Sequence, residues 1–270
     1  MRTAGLKAEH GLSLLIEIDR SHLLFDTGAS ALFLGNAKHL GLSLSSLDGI
    51  ILSHNHYDHT GGIEHLIGLY EKTPPIYAHP DVFRQSYVPS EASKTGSRAI
   101  GFTYARGLPD LERRGLIMTV NQEPLEVMPG VHLSGQIPRH SSIEDTGGKF
   151  FRDPELKQRD TVPDDQCLVL DTSLGLLVIL GCCHSGVLNT LQRINKLWPG
   201  RPLHGLVGGL HLLHASRDRI RRTVSFLRGQ KPRLIAAGHC TGLEALCALK
   251  ASFGERVQVL SVGKRIRVPG

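Results

Sequence analysis

The sequence predicts an α/β fold of two sheets sandwiched by helices, in a single domain spanning 1–270. Two observations carry that expectation. Short apolar runs of strand length alternate with segments of helical spacing in both halves of the chain. No linker, low-complexity tract or strong internal repeat separates the halves, and 270 residues suffice for one large layered core.

The elements follow in order. Leu12–Ile18 and His22–Phe25 are short apolar segments joined through Asp19-Arg20-Ser21, which reads as a hairpin. Ala31–Leu40 has helical spacing, with Gly41 as its stop. Asp48–Leu52 is a strand, Gly62–Tyr70 a helix and Ile76–His79 a further strand. Residues 81–120 are more polar and poorly periodic, and Pro89–Arg98 reads as a loop; so long an irregular segment suits a lid or substrate loop. Leu125–Val127 and Val131–Ser134 are strands, and Ser141–Asp165 is again irregular. The rest alternates cleanly: strands Cys167–Asp171 and Leu176–Leu180, helix Val187–Leu197, strand Leu203–Val207, helix Arg217–Leu227, strand Leu234–Ala237, helix Leu243–Ala251 and strand Val257–Val262.

Composition narrows the function classes. No run approaches the roughly 18 apolar residues of a membrane span. Met1–Lys7 has no apolar core, so no secretory signal is expected. Five cysteines, mostly in apolar runs or beside motifs, suit reduced thiols and a cytoplasmic location. The net charge of +6 suits nucleic acid or phosphorylated small molecules as partners. The charge is dispersed, however, and aromatic residues make up only 5% with none among the basic clusters, which argues against a nucleic-acid platform.

The densest chemical signal is Ser53-His54-Asn55-His56-Tyr57-Asp58-His59-Thr60-Gly61-Gly62. Three imidazoles and a carboxylate within six residues are the donors that borderline divalent metals prefer. The run Ile50-Ile51-Leu52 before it reads as a buried strand that delivers the ligands onto a loop. If strand geometry continues, His54 and His56 share a face and suit one ion, while Asp58 and His59 in the following turn suit a second.

This motif resembles the signature of the metallo-β-lactamase superfamily. Glu9-His10-Gly11-Leu12-Ser13, Phe25-Asp26-Thr27-Gly28, Gly181-Cys182-Cys183-His184-Ser185-Gly186, Gly208-Gly209-Leu210-His211-Leu212 and Gly238-His239-Cys240-Thr241-Gly242 follow in the expected places. The last three resemble the subgroup named for 7,8-dihydropterin-6-methyl-4-(β-D-ribofuranosyl)aminobenzene-5′-phosphate synthase. The resemblance implies a four-layer αββα sandwich holding one or two divalent ions, with zinc the default and manganese or iron as alternatives. It also implies that His239 joins Asp58 and His59, and that the usual first strand before Glu9 is missing or shortened.

The chain departs from the superfamily's hydrolase pattern at two turns. Gly135-Gln136-Ile137-Pro138-Arg139 has no histidine in the key place, and Cys182 stands where an aspartate usually bridges two ions. His184, two residues on, is expected to supply the missing nitrogen. Cys182 is either a thiolate contact or a buried thiol facing the site. His211 binds substrate phosphate, acts as an acid or is a packed structural histidine. Arg98 and Arg139 are candidate phosphate binders, because guanidinium forks match phosphate oxygens; surface solvation is the other reading for each. Asp26 is expected to orient a ligand histidine, or else to be a simple turn residue.

The function implied by the resemblance is metal-dependent chemistry on a small phosphorylated substrate, with Asp58, Cys182 and His211 as catalytic candidates. The named reaction condenses a dihydropterin methyl diphosphate with a ribofuranosylaminobenzene phosphate. The alternatives are hydrolysis of a phosphodiester, lactone or thioester, and a non-catalytic metal-dependent sensor.

Overall fold

The structure, a computed structural model, describes residues 5–71, 73–102, 113 and 118–269. The chain divides into two compact units. The first comprises Met1–Gln122 and Lys149–Asp164, the second Glu123–Gly148 and Asp165–Gly270.

The first unit is built on a five-stranded sheet. Its strands are β1 (Leu14–Ile18), β2 (Ser21–Phe25), β3 (Gly49–Ile51), β4 (Ile76–Ala78) and β7 (Met118–Val120), in spatial order β1-β2-β3-β4-β7. The expected hairpin is present: β1 and β2 pair antiparallel from Leu14↔Phe25 to Ile18↔Ser21. The pairs β2–β3, β3–β4 and β4–β7 are parallel. Leu24, Ile50, Leu52, Ile76 and Ala78 pack with Phe33 and Ala37 of helix α1 (Leu32–His39) and with Ile63, Leu66 and Ile67 of helix α3 (Ile63–Ile67). The alternate residues Leu23, Phe25 and Ile51 are also fully buried. Burial on both faces explains why these strands read as continuous apolar runs and not as alternating ones.

Three local expectations are corrected. A one-turn helix, α2 (Tyr57–Thr60), lies inside the histidine motif, and the expected Gly62–Tyr70 helix shortens to α3. Gly61 and Gly62 are required here by close approach: a Cβ would lie 2.4 Å from the Ala29 carbonyl oxygen at the first and 2.1 Å from the Thr27 carbonyl oxygen at the second. Pro89–Arg98 is not wholly loop: β5 (Tyr87–Pro89) and β6 (Ser97–Ala99) form an antiparallel hairpin. Its short strands carry too few apolar residues to show a period. Of the segment expected to form a lid, 103–112 and 114–117 lie outside the described residues.

The second unit carries a seven-stranded sheet. Its strands are β8 (Leu125–Met128), β9 (Val131–Leu133), β10 (Cys167–Thr172), β11 (Gly175–Leu180), β12 (Leu203–Gly209), β13 (Leu234–Gly238) and β14 (Val257–Leu260). They run in strict reverse order, β14-β13-β12-β11-β10-β9-β8. Strands β11 to β14 are parallel, as their intervening helices require, and β8 to β11 are antiparallel. The helices are α4 (Val187–Leu197), α5 (Arg217–Gln230) and α6 (Leu243–Phe253). Val187, Leu191 and Ile194 recur at helical spacing on α4 and enter the core with Val169, Val178 and Leu180. Among the described residues, no helix is long and apolar enough to cross a membrane.

Because α4 grows directly out of the Gly181–Gly186 loop, its packing anchors that loop. Leu191 is 1% exposed. Leu191→Ala is expected to lower stability by about 2–5 kcal/mol, measured by denaturant unfolding.

Candidate metal centre

In the first unit, β3 ends at Ile51 and the chain passes through Ser53, bends at Asn55 and is extended at His56 before turning into α2. The strand itself does not continue to the histidines, yet their rings meet. His54 Nε2 lies 3.1 Å from His56 Nδ1, with the ring centroids 4.7 Å apart. The hydrogen bonds behind the rings fix which nitrogen faces forward. Ser53 Oγ donates to Asp26 Oδ2 at 2.7 Å, so it accepts from His54 Nδ1 at 2.9 Å. That tautomer leaves the lone pair of His54 on Nε2. His59 Nδ1 donates to the same Asp26 oxygen at 2.6 Å, which places its lone pair on Nε2 too. Asp26 therefore does what the sequence suggested, holding a candidate ligand histidine from behind. It also accepts the Ser53 amide at 2.7 Å.

The donor set fits a metal. At zinc–nitrogen distances of about 2.0–2.1 Å, two imidazole nitrogens on one tetrahedral ion stand about 3.3 Å apart, close to the His54–His56 separation. His54, His56, Asp58 and His59 are all buried. Asp58 Oδ2 is 3.5 Å from His59 Nε2 and 3.3 Å from His10 Nε2. Nothing in the sequence had set His10 apart from the ordinary histidines.

Beneath this loop lies a buried polar network. The Asn55 amide donates to Asp164 Oδ2 at 2.7 Å, and Arg84 Nη2 donates to Asp164 Oδ1 at 3.2 Å. The same guanidinium forks onto Asp160, which also accepts from Ser86 Oγ at 2.7 Å. One cation serves two buried carboxylates, besides the more exposed Asp81 at 3.4 Å. Asp160 takes the fork and is held below the usual carboxylate range, although burial opposes this. Burial dominates at Asp164 and pushes it up to about 7, against the pull of Arg84.

In the second unit the ligand candidates sit where strands end. The Gly181–Gly186 loop follows β11, His211 follows β12 and His239 follows β13. Cys182 Sγ is 3.2 Å from His239 Nε2. His184 Nδ1 donates to the Thr146 carbonyl at 2.8 Å, which leaves Nε2 as its ligand nitrogen. The backbone of this loop is pinned as well: the Ser185 amide donates to Asp165 Oδ2 at 2.7 Å, and Arg139 Nη1 donates to the His184 carbonyl at 2.6 Å. Gly186 offers no capping side chain to α4, so Glu144 supplies one from a distant loop, accepting the Leu188 and Asn189 amides at 2.9 Å each. Gly209 is required by close approach: a Cβ there would meet Cys240 Sγ and the Gly181 carbonyl oxygen at 2.6 Å. Burial acts to raise the Cys240 thiol, but hydrogen bonds with Cys182 and His211 outweigh it and draw the group well below its ordinary range.

Asp26, Cys183, His211 and His239 are all non-glycine residues with φ between 48° and 65°. Such left-handed backbone costs on the order of 1–3 kcal/mol at each position and persists only where surrounding contacts enforce it. Four of the eight such residues among the described residues thus lie in or beside the loops that carry the candidate ligands.

The structure thus groups His54, His56, Asp58 and His59 in the first unit, and Cys182, His184, His211 and His239 in the second. Arg98 is exposed, with its guanidinium 5.6 Å from the centre of the Tyr57 ring. Arg139 is half-buried and engaged with the His184 backbone. Gln136 is exposed, as expected of a turn residue that is not a ligand. Sequence reasoning missed Glu144, Thr146 and Asp160, and gave no role to Asp164, Asp165 or Cys240. Asp164 and Asp165 did carry a signal, since two adjacent acids directly before the apolar run of β10 have little room to reach solvent.

Two outcomes are expected. Asp26→Asn removes the charge behind His59 and should weaken zinc binding roughly 10–100-fold in a chelator competition. For Asp164, a folded pKa of about 7 exceeds the unfolded value of 3.8. The folded state therefore binds more protons between those values; this contribution to stability is complete below 3.8 and is lost as pH rises through about 7. Denaturation midpoints measured across that window should fall with pH in the wild type and fall less in Asp164→Asn.

Residues 6–193 match the Lactamase_B family, the metallo-beta-lactamase superfamily. The chain is 32% identical over 269 residues to the 7,8-dihydropterin-6-methyl-4-(beta-D-ribofuranosyl)-aminobenzene-5′-phosphate synthase of Methanocaldococcus jannaschii, covering 96% of this chain and 90% of the relative. A crystal structure described as a metal-dependent hydrolase of the beta-lactamase superfamily superposes with a TM-score of 0.83 at 28% identity, covering 99% of this chain and 95% of that one. Zinc-bound PqqB from Methylobacterium extorquens shares the fold at a TM-score of 0.56 and 13% identity. These likenesses bear out the fold expected from the histidine motif, and the chain belongs to the metallo-β-lactamase superfamily.

Proposed function

We propose that the protein is a metal-dependent enzyme acting on a small phosphorylated substrate, by a condensation of the kind named for its Methanocaldococcus jannaschii relative. The observation that carries this reading is the set of buried imidazoles whose rear nitrogens are pinned by Asp26, Ser53 and Thr146. Such pinning is what metal ligands require, and it has no purpose in an ordinary apolar core.

In this reading His54, His56, Asp58 and His59 are metal ligands of the first unit, and His184 and His239 are metal ligands of the second. Zinc is the default from the donor types, with manganese or iron as alternatives. When bound, the ions supply positive charge that neutralises diphosphate oxygens. The chain's own groups do the rest. Arg98, exposed beside Tyr57, offers a fork to the substrate phosphate. Arg139 serves through His184, whose carbonyl it holds. His211 stands as the group that contacts the phosphate or moves a proton. In the condensation, the arylamine nitrogen forms a bond to the pterin methylene carbon and loses a proton, while the carbon–oxygen bond to pyrophosphate breaks. A cytoplasmic setting belongs to the same proposal, since the five cysteines are free.

One observation favours a second reading. The structural neighbour described as a metal-dependent hydrolase covers nearly the whole chain, so ester or lactone hydrolysis is the alternative. Replacement of the usual bridging aspartate by Cys182 weighs against it.

The test is a direct comparison of reactions with purified, metal-loaded protein. Pyrophosphate release from a pterin methyl diphosphate and an arylamine is expected, with slow turnover of generic phosphodiesters, lactones and thioesters. Cys182→Asp should raise that ester turnover. Vigorous ester hydrolysis by the wild type without pyrophosphate release would establish the hydrolase reading instead.

A further inference from the structure

Three potential donors of the second unit converge within that unit alone. Cys182 Sγ, one nitrogen of His184 and one of His211 lie within 4.8 Å of one another. The His184 and His211 rings are 4.1 Å apart at their centroids and tilted by 46°. Cys182 and His184 are 3% and 1% exposed.

Both histidines are held in place by contacts that have little other use. His184 has its rear nitrogen on the Thr146 carbonyl. One residue on, the same loop reaches His211. A Cβ at Gly147 would lie 1.7 Å from His211 Cδ2, and Gly147 has a φ of +78°, so only glycine permits this approach to the ring. His211 and Cys183, the residue that separates Cys182 from His184, both adopt left-handed backbone. Two strained non-glycine residues in and beside one three-donor cluster are a cost that a merely packed histidine would not require.

We propose that Cys182, His184 and His211 form a thiolate-containing metal-binding face, in which His211 is a ligand and not only a substrate contact. The soft sulfur compensates for the missing carboxylate and favours zinc, or its surrogate cobalt, over manganese and magnesium. The inference rests on the metal-centre reading above and goes beyond it by assigning sulfur ligation and a role to His211.

The test uses the full chain loaded with zinc or cobalt. X-ray absorption of the zinc protein should show a sulfur neighbour at about 2.3 Å besides nitrogen and oxygen neighbours at about 2.0–2.2 Å. The cobalt protein should show a thiolate charge-transfer band that Cys182→Ser abolishes. His211→Gln should weaken zinc binding at least as much as the roughly 10–100-fold typical of outer contacts. His211→Cys should retain the ion and strengthen the charge-transfer band, which keeps the assignment testable if His211→Gln fails to fold. A shell of nitrogen and oxygen alone would overturn the proposal. So would a sulfur shell with unchanged zinc affinity in His211→Gln, because the imidazole would then not be a ligand. Asp58→Asn separates the two levels of argument. If it weakens metal binding while Cys182→Ser and His211→Gln do not, this inference fails and the metal-centre reading stands. A wild-type chain that takes up neither zinc nor cobalt sinks both.

Discussion

The constraint on which the rest of the structure depends is that its histidine ligand candidates are buried and must be aimed. A buried imidazole has two nitrogens, and only the one bearing a lone pair can serve as a ligand. The protein settles this by giving the rear nitrogen an acceptor. Asp26 does so for His59, Ser53 relays the same carboxylate to His54, and the Thr146 carbonyl does so for His184. Asp26 is thus the hub of the first unit's motif, and its left-handed φ of 60° at the end of β2 is the backbone cost of placing it there.

Aiming the rings also requires fixing the loops that carry them. Two neighbouring residues in the chain divide this work. Asp164 accepts the amide of Asn55, between His54 and His56, and Asp165 accepts the amide of Ser185, directly after His184. Both carboxyls are fully buried, and burial raises both. Arg84 offsets that cost for Asp164 and Arg139 for Asp165. A buried carboxylate that lost its cation would be strongly destabilising, so each arginine is tied to its acid. This gives Arg139 a role that a sequence search for phosphate binders does not suggest.

Much of the fold was legible because its signals are local. The β1–β2 hairpin, α1 before Gly41 and the strand–helix alternation from Cys167 onward follow from periodicity and turn residues. The histidine motif was legible because its donors are close in sequence. What escaped depends on distance along the chain. Glu144 caps a helix more than forty residues away, and Arg84 meets Asp160 and Asp164 nearly eighty residues on. Neither contact leaves a spacing pattern. The β5–β6 hairpin escaped for a different reason: strands of three residues, partly exposed, show no alternation to read.

The position of Cys182 links this architecture to the choice of chemistry. In the hydrolase pattern of the superfamily a carboxylate at this point spans two ions and contributes a hard, fixed negative charge. Here the loop has a glycine before the residue and His184 two positions after it. In place of a carboxylate stands a softer sulfur, 3.2 Å from His239 Nε2. A thiol gives up its proton only in a suitably positive setting, and three of its close neighbours are the imidazoles of His184, His211 and His239. In the proposed centre the charge would therefore depend on what is bound more strongly than in a carboxylate centre. That suits a reaction whose anionic leaving group must be held and then released, and it suits less well one that needs a permanently activated water.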